Sequence, residues 1–501
     1  MVMTESQSSL RKEQFRIPLW CKILILAVPV IISFFQLRLL DNDFYFLYST
    51  GEYIVNHGFP HTDILSMHSS MKLVVQQWLS SVIFYFSYHI FGEFGVMAIL
   101  YICYTAICIL TYRLISLITG NDLISVILAD VINILLFDPF MVTRPQMFTY
   151  LILLAGVILL EKHVKTNSIK YLFALPVLSI LLVNLHAAMW PMLLVFMLPY
   201  LAGAVPLNAI SEKDGPSGNI LAILATMVAC ALVGIINPYG TDNMLYLVTS
   251  YGKGSFELIS EMGPADLSNP EGITFFAFFA IAVLTAVFYK KRKLSARFFL
   301  LFAGTFVLGL KQIKGIPYFL LIGIPASSYL ISGIDIRSIT GKLRGAVTKT
   351  FKVLLVIFLC CALGYICEAR FFQTYDIKQS KNEHYEHLDN ITGILKNSSL
   401  PVVLYTNFND GQYLEFKGFH PYIDGRAEVF YADNNQEYDY FEEYLSLYNG
   451  GFYYRDFADK YQFNYLILDK NLDSYMYLSM LRDSDFELAY DSDDVTLFIR
   501  K

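Results

Sequence analysis

The chain has 501 residues, 55% of them hydrophobic and 16% charged, with a mean hydropathy of +0.48. Soluble domains carry about 25% charged residues, so this composition excludes an ordinary water-soluble enzyme and implies several crossings of a bilayer. The formal net charge of −6 is split unevenly: residues 369–501 hold 23 Asp and Glu against 12 Lys and Arg, while the first 368 residues are net basic. An acidic polar tail argues against nucleic acid as a partner.

Apolar runs long enough to cross a bilayer, separated by short polar loops, predict about eleven transmembrane helices. They fall near 19–40, 95–118, 122–138, 146–161, 170–187, 188–206, 219–237, 272–289, 295–311, 315–333 and 350–368. Residues 1–18 read as a cytoplasmic N-terminus, 19–368 as a polytopic α-helical membrane domain, and 369–501 as a small extracytoplasmic α/β domain. The first run exceeds a signal h-region and lacks an A-x-A-like cleavage site, so it reads as a retained helix. Trp78–Phe91 is too short to span and reads as a helix in the outer interface. With it so placed, the basic clusters all fall on the cytoplasmic side, where Lys and Arg collect. These clusters are Arg11/Lys12/Arg16, Arg113, Lys162/Lys165/Lys170, Lys290/Lys291/Arg292/Lys293 with Arg297, and Arg337/Lys342/Arg344/Lys349/Lys352.

The outer face then gathers a specific set of polar residues. Asp41 and Asp43 directly follow the first span and open an outer loop over 41–94. Carboxylates beside lipid are costly and mark a functional site by default. Arg144 and Gln146 follow the third span, Asn184 and His186 end the fifth, and Glu257, Glu261 and Asp266 lie beyond the turn Asn237–Gly240 (NPYG). Lys311, Gln312 and Lys314 sit between the ninth and tenth spans. His57, His61 and His68 with Asp63 lack the i, i+4 spacing of a helical zinc motif, so no metal is assigned. The seven cysteines lie in or at predicted helices, which leaves no disulfide framework.

Five strand-like runs mark the tail: Leu400–Asn407, His420–Arg426, Phe463–Asp469, Phe486–Tyr490 and Val495–Arg500. Helical stretches near 380–397, 435–448 and 472–482 alternate with them, as in a small sheet covered by helices. Asp424, Arg426 and Glu428 read either as acceptor contacts or, preferably, as a turn held by an Asp–Arg pair.

The order of motifs resembles a large bacterial group within the GT-C glycosyltransferase superfamily. The matching residues are Asp41, Asp43, Phe44, Tyr45 and Phe46, then Thr50, Gly51 and Ile54. His57, Gly58, Pro60, Thr62, Asp63 and Ser66 follow, then Trp78 and Leu79. Thr143–Tyr150, Val183–His186, Asn237–Gly240, Lys314–Phe319, Gly411–Leu414 and Tyr422–Glu428 continue the pattern over nearly the whole chain. The resemblance implies an inverting transferase that takes sugar from a polyprenyl-phosphate donor in the plasma membrane. The acceptor would be an extracytoplasmic glycan, lipid or protein, and no cofactor or divalent metal would be required. It also implies Asp43 as base, with Asp41 as second choice, and Arg144, Lys311 and Lys314 on the phosphate. His186 and Asn184 would orient the substrate. Gln77, where the group often has an acidic residue, is kept as a substrate-binding position, and Leu47 stands where the group usually has His. Each residue has a plainer reading: Asp43 as a helix cap, Arg144 as partner of Asp138, the lysines snorkelling to headgroups, His186 packing between helices. Two other functions stand beside the transferase: a transporter or flippase for lipid-linked sugars, and a non-catalytic envelope-assembly scaffold.

Overall fold

The computed structural model describes residues 17–36, 39–204, 219–250, 260–289, 294–333, 349–451 and 453–501. Arg11/Lys12/Arg16, Lys290/Lys291/Arg292/Lys293, Arg337/Lys342/Arg344 and Glu257 lie outside the described residues, as do 37–38 of the predicted span 19–40 and 205–206 of the span 188–206.

The first predicted span is two helices, α1 (Leu19–Leu26) and α2 (Val28–Phe34), because Pro29 enters the second at its first turn. Next come α3 (Asn42–His57), α4 (Trp78–Thr119), α5 (Asp122–Phe140), α6 (Gln146–Thr166), α7 (Leu175–Leu185), α8 (Trp190–Ala204) and α9 (Ile220–Val233). After them lie α10 (Pro270–Val287), α11 (Ala296–Lys311), the composite α12 (Ile313–Ile331) and α13 (Lys349–Lys396). Four of these starts use an Asx cap, in which Asp41, Asn121, Asn219 or Asn269 accepts from a backbone N–H of the first turn. Among the described residues, α4, α5, α6, α10 and α12 are long and apolar enough to cross a bilayer. The predicted seventh span, 219–237, is shorter than expected: its helix stops at Val233 and the chain turns through Gly234–Gly240.

Two backbone features shape the bundle. Gly92 (φ 60°, ψ −152°) breaks α4 where the sequence separates an interfacial run from a span. An added Cβ there would meet no neighbour within 4 Å, so the cost of Gly92→Ala is conformational. We expect about 1–3 kcal/mol of destabilisation, read as a lower thermal unfolding midpoint in detergent; an unchanged midpoint would contradict it. Gly51 lets α3 lie against the start of α4, since a Cβ at that position would sit 2.2 Å from the Ser81 carbonyl oxygen.

Helix α13 runs unbroken through the predicted domain boundary at 368/369. Tyr365, Phe371, Phe372 and Tyr375 are exposed along it, a placement that suits an aromatic belt between apolar and polar halves. Beyond it, β1 (Leu404–Tyr405), β2 (Tyr465–Asp469), β3 (Phe486–Asp491) and β4 (Val495–Arg500) form one sheet in the order β1-β2-β4-β3. β1 pairs parallel to β2, and β4 runs antiparallel to both β2 and β3. Helices α14 (Gly411–Phe416), α15 (Tyr440–Tyr448), α16 (Tyr454–Tyr461) and α17 (Ser474–Met480) accompany it. The run His420–Arg426 is not a strand; it touches the sheet through a single Leu404–Pro421 bridge, because Asp424 and Arg426 turn back on each other.

The outer loop is not a free cap over the bundle. Met71, Leu73 and Val75 pack in one apolar cluster with Tyr405, Tyr422, Phe430 and Phe441 of the C-terminal part. Backbone bonds stitch the two together, from Met67 N–H to the Pro421 carbonyl and from Lys72 N–H to the Asn435 carbonyl, each at 3.0 Å.

Candidate active site

Helix α3 presents both acids from its first turn. Asp41 is the cap: its Oδ1 accepts the Asp43 N–H at 3.1 Å, and its own N–H donates to Thr143 Oγ1 at 2.9 Å. Capping therefore occupies Asp41 and leaves the Asp43 carboxylate for other work. The Thr143 bond draws in the turn before α6, which carries Arg144. Arg144 Nε lies 2.5 Å from Asp41 Oδ1 and 3.2 Å from Asp43 Oδ2, and its Nη1 is 3.2 Å from Glu261 Oε2. Lys314, at the start of α12, approaches the same Glu261 oxygen at 3.7 Å. Residues more than a hundred positions apart in sequence thus form one charged cluster.

The electrostatics separate the two acids. Burial raises the Asp43 pKa to about 7, with Asp41 and Glu261 adding to the rise and Arg144 and Lys314 opposing it. For Asp41, burial pushes the same way, but the charge and hydrogen bond of Arg144 outweigh it and hold the carboxyl below its usual range. One ionised acid beside one that titrates near neutrality is the arrangement that acid–base chemistry uses. The Asp43 side chain keeps 28% of its surface accessible, so a substrate proton can reach it.

The structure also brings in residues that the sequence did not single out. Lys381 of α13 donates to the Leu40 carbonyl at 3.1 Å, and Tyr385 donates to Asn42 Oδ1 at 2.8 Å. Both come from beyond the predicted domain boundary. Lys381 sits in a polar stretch with no motif around it, so no local signal marked it. Glu261 was placed on the outer face by topology but not chosen, since nothing in sequence shows that it meets Arg144.

Other candidates are held differently. Asn184 is fully engaged: its Nδ2 donates to the Ile180 and Ile236 carbonyls and its Oδ1 accepts from Trp78 Nε1, each at 2.8 Å. It pins α7 to the start of α4 and to the turn after α9. Gln77 Oε1 accepts from Gln76 Nε2 at 2.8 Å, and Gln76 in turn holds the turn after α7 through Ala187 N–H and Ala188 N–H. His186 is buried, with Nδ1 2.8 Å from Thr149 Oγ1. Lys311 is exposed at the end of α11. A groove of about 540 Å³ lined by Trp78, Leu181, Asn184, Ile236 and Pro238 contains none of the charged residues named above.

Of the loop histidines, His68 is buried, and His57 and His61 are exposed. His68 stacks on Tyr440 with ring centroids 3.8 Å apart and its Nε2 lies 3.0 Å from the Tyr422 carbonyl. His57 stacks on Tyr53, and His61 meets the edge of Tyr239. Asp63 belongs to a buried cluster in which Arg426 forks onto Asp424 and donates to Asp63 Oδ1 at 2.7 Å. Among the described residues, no group of three or more His, Cys, Asp or Glu is placed to hold a metal ion.

No family model matches the chain, and no curated protein matches it. Among solved structures, it is similar to the crystal structure of ArnT from Cupriavidus metallidurans bound to undecaprenyl phosphate. The two share 12% identity with a TM-score of 0.46, over 96% of this chain and 97% of that one.

Proposed function

We propose that the chain is an integral membrane glycosyltransferase that moves a sugar from a polyprenyl-phosphate donor to an extracytoplasmic glycan, lipid or protein. The observation that carries this reading is the meeting of Asp43 with Arg144 and Lys314 beside an apolar bundle. The order of sequence motifs supports it from an independent side. Ionised Asp43 takes the proton of the acceptor hydroxyl as its oxygen attacks the anomeric carbon. The bond from that carbon to the phosphate oxygen breaks on the opposite face, and the electron pair leaves with the polyprenyl phosphate. Arg144 and Lys314 balance the charge on that leaving group, where scarce water makes fixed cations effective. Arg144 donates through Nε to Asp41 and through Nη1 to Glu261, which fixes its guanidinium within the cluster. The N-terminus on this reading is cytoplasmic and the C-terminal domain faces the acceptor outside.

The pH dependence follows from Asp43. A folded-state pKa of about 7 means that the base form dominates above that value and is lost below it. Transfer should therefore drop about tenfold per pH unit below neutrality and level off above it; a rate flat through this range would sink Asp43 as base. The deciding experiment gives membranes carrying the chain a panel of radiolabelled polyprenyl-phosphate sugars. Label moved to an acceptor supports the transferase. Intact lipid-linked sugar crossing the bilayer would replace it with a flippase, and no change in any donor would favour a scaffold.

A further inference from the structure

The cluster around Asp43 is assembled from five places: Asp41 at the start of α3, Arg144 before α6, Glu261 in the turn Ser260–Met262, Lys314 at the start of α12, and Lys381 with Tyr385 on α13. Without Lys381, two cations, Arg144 and Lys314, face three carboxylates. Lys381 is the member that arrives from the far side of the predicted boundary. Its ammonium is bonded to the carbonyl of Leu40, the residue before Asp41, and leans over the ring of Tyr385 at 5.5 Å. Burial and the charge of Arg144 lower the Lys381 pKa, while Asp41 and Asp43 act in the opposite direction and favour the charged ammonium.

We propose that Lys381 is a positioning residue of this site. Its ammonium offsets the negative charge of the Asp41–Asp43 pair, and the acid pair reaches its working charge only while α13 is seated against the start of α3. The carboxy-terminal region then contributes a charge to the reaction centre and is not an appended domain. The role given to Asp43 rests on the transferase reading; the Lys381–acid coupling does not need it.

The test uses the full chain in lipid nanodiscs and follows the infrared band of protonated carboxyls as pH is raised through neutrality. The Asp43 contribution is the part that Asp43→Asn removes. Lys381→Gln keeps an N–H for the Leu40 carbonyl but removes the charge. It should move the Asp43 midpoint upward, since a removed positive charge no longer favours the ionised carboxylate, and Lys381→Arg should restore the native midpoint. Tyr385→Phe breaks the Asn42 bond without changing charge and should leave the midpoint in place. An unshifted midpoint in Lys381→Gln overturns the proposal, and so does an equal shift in Tyr385→Phe, which would make docking alone the cause. If Lys381→Gln fails to fold, Lys381→Met decides the same comparison. Should the native chain transfer no sugar from any donor, the transferase reading fails, while the titration comparison still decides the coupling.

Discussion

Asp43→Asn is expected to reduce sugar transfer by about 10²–10⁴-fold, the range that a positioned general base contributes. The amide matches the carboxylate in shape, and the helix start is capped by Asp41, so α3 should form as before. What is lost is the one acid of the pair whose pKa lies near neutrality. Asp41→Asn differs in kind. The amide oxygen can still cap the helix, but the charge in the 2.5 Å contact to Arg144 is lost, so the substitution should lower stability together with activity. The comparison is made at equal protein level in the same membranes, with initial transfer rate and thermal midpoint measured for each variant. Native transfer by Asp43→Asn at an unchanged midpoint would remove Asp43 from the mechanism.

Arg426→Ala is expected to cost about 3–5 kcal/mol, the usual result of leaving buried partners unpaired. Arg426 is 6% exposed, and Asp63 and Asp424 around it are as deeply buried. Glu415 completes the group at 3.7 Å; burial and the neighbouring Asp424 raise its pKa well above the usual carboxylate range. One guanidinium thus hydrogen-bonds directly to two buried carboxylates, Asp63 and Asp424. One of these, Asp63, sits in the outer loop, where the Ser66 hydroxyl and backbone N–H also hold it. The other is in the C-terminal part, so the pair is a lock between regions that sequence reading keeps apart. Arg426→Lys cannot form the fork onto Asp424 and should fall between native and Ala. Limited proteolysis of residues 58–77 checks the consequence, since the alanine variant should be cut there much faster. Equal cleavage and an equal thermal midpoint would mean that the apolar cluster of Met71, Leu73 and Val75 holds the loop without the ion pair.

The sequence carries some parts of this architecture openly. Apolar runs locate the helical segments because a bilayer requires long stretches without charge. Asx residues mark helix starts because their side chains reach the first-turn N–H groups. Three of the five strand-like runs, Phe463–Asp469, Phe486–Tyr490 and Val495–Arg500, are strands over most of their length, and Leu400–Asn407 contributes only Leu404–Tyr405. His420–Arg426 misleads because its apolar residues are buried by an ion-paired turn and not by strand pairing. Helices α14 and α16 were not foreseen: α14 is a six-residue helix, and α16 (YRDFADKY) has few apolar residues to show a period.

For the candidate site the division is similar. Asp41, Asp43 and Arg144 are legible because charge at a membrane boundary is expensive and the neighbouring motifs keep a recognisable order. Asn184 and Gln77 look the same on paper as substrate contacts; in the structure both ends of the Asn184 amide are bonded within the protein, and the Gln77 amide oxygen accepts from Gln76. By itself the sequence determined a many-helix membrane chain, its acidic polar tail and the acids that open the outer loop, since these depend on local hydropathy, capping and charge. Only the tertiary structure decided that Arg144 meets both acids and Glu261, that Lys381 of α13 reaches the Leu40 carbonyl beside them, and that Arg426 fastens the loop to the sheet region. Those pairings depend on distances between segments far apart in sequence, and no local pattern encodes a distance.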